Sequence, residues 1–193
     1  MKRAKRPKGN MFTLISIIAV MLAMFFVTRY QKAGKQKEAT MESLSEVQKI
    51  LNMDLESDYP KTPREVAKLH GDITRLLYSG IEDDEIKDLA IKARELYDEE
   101  LLEKNPMDQY LKDLYSDIAL WIKLGRKIEN NFVVNEQDEE IIKKDGKEYA
   151  TAYISFLITE KGKTSEQRKY LLRKDNNKKW KVLGWEYMPD KGK

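Results

Sequence analysis

Cysteine is absent from the 193 residues, and histidine occurs once, at position 70. The first absence excludes disulfides, zinc–thiolate sites and cysteine nucleophiles together. The second excludes any metal site that needs two imidazoles. Two acidic runs, at 82–85 and 138–140, lack the alternating oxygen ligands and the glycine of a calcium loop. The first of them stands where it would complement a helix N-terminus. Asp117 and Glu129 have no identifiable partner carboxylate. No motif names a reaction, and no metal or cofactor site is expected.

A basic face is missing as well, although the chain totals +3. Five of its 36 basic residues (Lys2, Arg3, Lys5, Arg6 and Lys8) stand in the first ten positions, leaving 31 against 33 acids, or −2, for the remainder. Those remaining charges are mixed along the chain, which argues against nucleic-acid binding.

One long hydrophobic run is present. Residues 11–28, "MFTLISIIAVMLAMFFVT", carry no charge. As a helix they span about 27 Å, close to the roughly 30 Å of bilayer hydrocarbon. A cleavable signal has a shorter apolar region and a small-x-small cleavage site, whereas this run ends in Phe25, Phe26, Val27, Arg29 and Tyr30. A buried soluble helix would show a polar stripe. The expectation is therefore a retained single-pass anchor in the lipid bilayer. The acid-free basic cluster before it favours a cytoplasmic N-terminus, which would place the rest of the chain outside the cytoplasm, at the cell membrane. Tyr30 fits an interfacial anchor.

Four parts follow: a basic tail at 1–10, the span at 11–28, a stalk or amphipathic helix at 29–57, and a domain at 58–190. In the stalk, Leu44, Val47, Ile50 and Leu51 fall at helical spacing, without the sustained heptads of a coiled coil. The domain opens on Thr62-Pro63-Arg64-Glu65, a capping-box spacing with proline at the first helical position. Val66, Leu69, His70, Ile73, Leu76 and Leu77 form the stripe of a first helix that stops at Gly80. A second helix follows Asp83-Asp84, with Ile86, Leu89, Ala90, Ala93, Leu96 and Tyr97 on its apolar face. A third runs from Asn105-Pro106 to about Gly125.

The period then changes to two. "KEYATAYISFLIT" alternates Ala150, Ala152, Ile154, Phe156 and Ile158 with Tyr149, Thr151, Tyr153 and Ser155. Asp145-Gly146 predicts a hairpin with a strand around 139–144. "KTSEQRKYLLRKD" and "KKWKVLGWEYM" predict two more strands, and "IENNFVV" adds an earlier one. The fold class is α+β: about three helices packed on one face of a curved antiparallel sheet of about four strands.

This order, closed by "KYLLRKDNNKKWKVLGWEY", resembles the nuclear-transport-factor-2-like superfamily, a helix-first cone with a curved sheet, over roughly residues 58–190. The resemblance implies a fold; it does not imply an activity. A single span followed by such a domain is similar to assembly components of type IV secretion and conjugation machines, which scaffold a complex. Similar domains are appended to penicillin-binding proteins. The layout also resembles small membrane-anchored proteins of Gram-positive bacteria that carry no assigned activity. Enzymes of the superfamily, such as ketosteroid isomerases and dehydratases, use polar side chains inside the cone. None of their motifs stands at matching positions, so no catalytic residue is carried over.

Two function classes remain. The first is a membrane-anchored extracytoplasmic interaction or scaffold module, a homo-oligomer or one member of a membrane complex. Trp180, Val182, Leu183, Trp185 and Tyr187 read as populating both faces of the last strand, and Tyr149, Trp185 and Tyr187 are its candidate partner interface. The alternative is a small apolar ligand binder or acid–base enzyme using the cone pocket, with His70, Tyr115 and Tyr153 as candidate ligand-binding residues. Ala150 and Ala152 would leave room for such a pocket. The expectation for His70 itself is an imidazole packed among leucines or facing solvent on the helix flank.

Overall fold

The computed structural model describes residues 45–134 and 141–188. The predicted basic tail, the membrane span, the stalk up to residue 44 and the acidic run at 138–140 lie outside the described residues. Among the described residues, no helix is long and apolar enough to cross a membrane.

The architecture is α+β; the described residues form five helices and then five strands: α1 Glu46–Leu51, α2 Pro63–Leu77, α3 Asp83–Arg94, α4 Glu99–Lys104 and α5 Met107–Lys123, followed by β1 Lys127–Val133, β2 Ile141–Lys144, β3 Lys147–Thr159, β4 Lys163–Lys174 and β5 Trp180–Tyr187. The expectation was about three helices and about four strands. The first extra helix, α1, comes from the predicted stalk. Its Val47 and Ile50, with Leu55 beyond it, are buried in the domain core, and Glu46 pairs with Arg75 of α2 at 2.6 Å.

The second extra helix arises because α3 ends early. Past Arg94 the chain straightens, and Tyr97 bridges Val182 of β5 in parallel, with Val182 N donating to Leu96 O at 2.8 Å and Asp98 N to Val182 O at 2.9 Å. Asp98 then caps α4, accepting from Glu100 N. Helix propensity yields here to the free edge of a sheet, whose unpaired backbone groups need partners.

The capping box of α2 forms as its spacing predicts. Thr62 accepts from Glu65 N at 3.2 Å, and the Glu65 carboxylate accepts from Thr62 N at 3.1 Å; loss of such a cap costs about 1 kcal/mol. The stripe Val66, Leu69, His70, Ile73, Leu76 and Leu77 is buried. Helix α2 approaches the sheet closely at Gly71, where a Cβ would stand 2.8 Å from Asn131 Nδ2 and 3.2 Å from Ile154 Cγ2. At Gly125, φ is +64° and α5 ends two residues earlier.

The sheet is antiparallel in the order β1-β3-β4-β5, and β2 also pairs with β3. At 13 residues, β3 is long enough for β1 to pair with its second half and β2 with its first. Ala150, Ala152, Ile154, Phe156 and Ile158 form the buried inner face of β3, with Tyr170 and Leu172 of β4 beside them.

The last strand departs from the simple alternation. Leu172 opposes Val182 while Leu171 opposes Gly184, so Leu183 is one residue too many. This bulge shifts the phase of everything after it. Trp180 and Val182 lie on the inner face before it; Trp185, opposite Tyr170, and Tyr187, opposite Arg168, lie on the same face after it. The two-sided aromatic strand expected from the sequence is thus an aromatic strand with one inner face.

Candidate functional site

Helix α2 projects His70 inward, where it is 3 % exposed. Its Nδ1 lies 3.0 Å from the Tyr170 hydroxyl and its Nε2 lies 3.2 Å from the Tyr97 hydroxyl. The Trp185 ring sits beside it, with centroids 4.9 Å apart. Three separate devices bring these partners in. The inner-face register of β4 aims Tyr170, the bulge in β5 aims Trp185, and the straightened segment after α3 presents Tyr97 at the sheet edge.

The contacts continue in both directions. Beyond Tyr97, its hydroxyl lies 3.4 Å from that of Tyr110 on α5. Beyond Tyr170, the buried Arg168 stands on the same inner face of β4. Arg168 is held in turn by Glu166, at 3.0 Å from Nε and 2.9 Å from Nη2, and lies against the rings of Phe156 and Tyr187.

These groups wall a cavity of about 240 Å³ whose lining includes His70, Tyr97, Tyr110, Asp113, Arg168 and Trp185. His70 therefore opens into a cavity within hydrogen-bond reach of two tyrosines, where a packed or solvent-facing imidazole was expected. Asp113 and Asp117 stand one turn apart on α5 at the cavity wall; Asp113 accepts from Gln109 at 2.7 Å, and Asp117 accepts from the Tyr78 hydroxyl.

Burial, and after it the charge of Arg168, push the His70 pKa down to about 3. The imidazole is neutral at pH 7, with one N–H donor and one acceptor nitrogen. Burial first, then neighbouring Tyr110, hold the Tyr97 phenol well above its ordinary value. Burial likewise raises Tyr110, opposed by Tyr97 and Arg94. The buried ring cluster of His70, Tyr97 and Tyr170 is thus uncharged at neutral pH, with Arg168 on one side and Asp113 and Asp117 at the cavity wall.

Of the candidate ligand-binding and interface residues named from the sequence, His70 and Trp185 line this cavity, Trp185 as a half-buried ring in its wall. Tyr115 donates to Asp83 O at 3.1 Å and ties α5 to the start of α3. Tyr153 is on the outer face of β3. Tyr149, on that same outer face, stands opposite Arg173 of β4. Tyr187 is on the inner face yet 64 % exposed. Neither Ala150 nor Ala152 is among the cavity-lining residues; the large neighbours Tyr170 and Leu172, opposite them on β4, are fully buried.

Sequence reasoning missed Tyr97, Tyr110, Arg168 and Tyr170 as site residues. One signal was available: Gly184 within a strand pattern marks a bulge position, and a shifted phase would have placed Trp185 on the face of Tyr170.

Among the described residues, no group of three or more His, Cys, Asp or Glu side chains is arranged to hold a metal ion. No curated protein matches the chain. The family model for a domain of unknown function, DUF6715, matches residues 1–185, from the basic N-terminal tail to Trp185 in the last strand, and the chain belongs to that family.

Proposed function

We propose that this is a membrane-anchored binding protein. Residues 11–28 span the bilayer once with the N-terminus cytoplasmic, and a nuclear-transport-factor-2-like cone outside the cytoplasm takes a small ligand in the cavity beside His70. The observation that carries the reading is the opening of a buried, tyrosine-held imidazole into a cavity walled by aromatic rings and a few convergent polar groups, the composition of a ligand site. The family model, which takes in the charge-free run and the domain together, supports treating the two as one architecture.

Binding fits this site better than acid–base chemistry. Both nitrogens of His70 are engaged by phenols, and an imidazole with a pKa of about 3 is a weak base at pH 7. Its role is to hold Tyr97 and Tyr170 in place and to contribute a polar wall.

The test has two arms. Protease added to intact spheroplasts should remove the domain; a fully protected domain in the membrane fraction reverses the topology. A fragment screen on the detergent-solubilised chain, read by Trp fluorescence, should give hits that a Trp185→Phe variant no longer reports. A screen without hits removes the binding reading.

A scaffold role is the second reading. Phe132, Ile142 and Leu171 are each at least 40 % exposed on the outer face of the sheet, Ile142 directly opposite Tyr149. If that face joins copies of the chain, a Leu171→Lys variant should dissociate the assembly in analytical ultracentrifugation, and an unchanged mass excludes it.

A further inference from the structure

Resting on the binding reading above, we infer that the cavity takes an uncharged, roughly planar ligand of about one ring that places a hydrogen-bond acceptor against the Tyr110 hydroxyl. Donor and acceptor counting along the buried contacts leads to this. Arginine has donors only, so Arg168, two positions from Tyr170 on the same face of β4, offers the Tyr170 hydroxyl no acceptor. Tyr170 is fully buried, and its own hydrogen needs an acceptor. His70 Nδ1, 3.0 Å away, is that acceptor.

A neutral imidazole that accepts at Nδ1 carries its proton at Nε2. Nε2 therefore donates to the Tyr97 oxygen at 3.2 Å. The Tyr97 hydrogen passes on to Tyr110, at 3.4 Å. The chain runs one way, from Tyr170 through His70 and Tyr97 to Tyr110, and ends with a phenol whose own hydrogen is unspent. The reverse direction would leave the hydrogen of fully buried Tyr170 without that acceptor. The final contact is long for an O–H···O bond, which leaves the Tyr110 hydroxyl the least committed group in the series and the one free to turn toward a ligand.

Size and charge narrow the class. About 240 Å³ lies below the range of roughly 300–1,000 Å³ for drug-sized ligands, so a fragment of one ring fits. The rings of Trp185, Tyr97 and Tyr110 in the wall favour a flat partner. Asp113 and Asp117 repel an anion, and Arg168 beneath disfavours a cation.

His70 is the only histidine in the chain, so ¹⁵N-histidine labelling of the full chain in detergent micelles yields signals from this one ring. Four probes of similar size separate the possibilities: acetophenone, which is neutral with an acceptor; ethylbenzene, neutral without one; benzoate; and benzylamine, which is cationic at pH 7. The free protein should show the Nε2–H tautomer. Acetophenone should shift the His70 signals and bind about tenfold more tightly than ethylbenzene, the value of one hydrogen bond, and more tightly than either charged probe. Tyr110→Phe, which removes only a hydroxyl from a half-buried ring, should erase the preference while leaving ethylbenzene binding unchanged. An Nδ1–H tautomer, equal affinities for acetophenone and ethylbenzene, a preference that survives Tyr110→Phe, or tighter binding of benzoate or benzylamine overturns the inference. If none of the four probes moves the His70 signals, the binding reading itself falls.

Discussion

The two faces of the sheet use the same residue types to different ends. On the inner face, Tyr170 and Trp185 join His70 and Arg168 in a connected set of rings and hydrogen bonds, nearly all of it out of water. On the outer face, Tyr149, Tyr153 and Leu171 are half-buried or exposed. A phenol on the inner face is committed to one geometry because a lost partner would leave a buried hydroxyl unsatisfied. A phenol on the outer face always has water as an alternative. Aromatic residues in a strand therefore say little about function until the face is known.

Four experiments sharpen this contrast, in falling order of effect. Replacing His70 with leucine should be the most damaging. The volume is kept, but the buried hydroxyls of Tyr170 and Tyr97 lose a shared partner. The expected loss is about 3 kcal/mol, measured by urea unfolding. A loss under about 1 kcal/mol would mean that the inner network does not carry the weight assigned to it.

The same histidine should make the domain acid-sensitive. Its folded pKa of about 3 lies below the ordinary 6.5, so the folded state binds the proton less readily than the unfolded chain. The stability tied to the neutral ring is complete above pH 6.5 and is lost as pH falls from 6.5 toward 3. Between pH 7 and pH 5 that amounts to about 2 kcal/mol. A His70→Gln variant, which keeps one donor and one acceptor, should lack this component, and parallel stability–pH curves for the two proteins would contradict it.

Gly71→Ala probes the tight end of the inner face, where the new methyl meets Asn131 and Ile154. Asn131 is buried, and its amide N and O atoms have no partner in the structure, so its side chain has little to lose by turning. A cost of about 1 kcal/mol is expected, visible as a lowered Tm. The smallest effect belongs to the outer face. Leu171→Ser should change the stability of the monomeric domain by less than about 0.5 kcal/mol, and a larger loss would show that something covers that face.

The parts of this fold that were legible in the sequence are those fixed locally. The capping box at Thr62, the stripe from Val66 to Leu77 and the hairpin at Asp145-Gly146 each depend on residues within a few positions of one another. The long alternation of β3 read correctly for the same reason. The site was legible only at His70. Its partners stand 27 and 100 residues away in the sequence, and each meets it through a feature set by tertiary contacts. Tyr97 was expected at the end of a helical apolar face, and the open edge of β5 draws it into an extended segment. Trp185 was expected on the outer face because strict alternation has no place for Leu183. Tyr115 and Tyr153 are tyrosines at plausible positions that point elsewhere.

The surplus residue at Leu183 also works as a counter. Upstream of it, even-numbered positions of β5 face the helices; downstream, odd-numbered positions do. The same residues paired in strict alternation, without the bulge, would keep every aromatic residue of the site and still lose the site, because Trp185 would turn to the solvent side and the cavity would lose a wall. Composition, charge and apolar content would not register the change. What separates a lined cavity from an open one in this domain is whether a bulge absorbs the odd spacing between Val182 and Trp185.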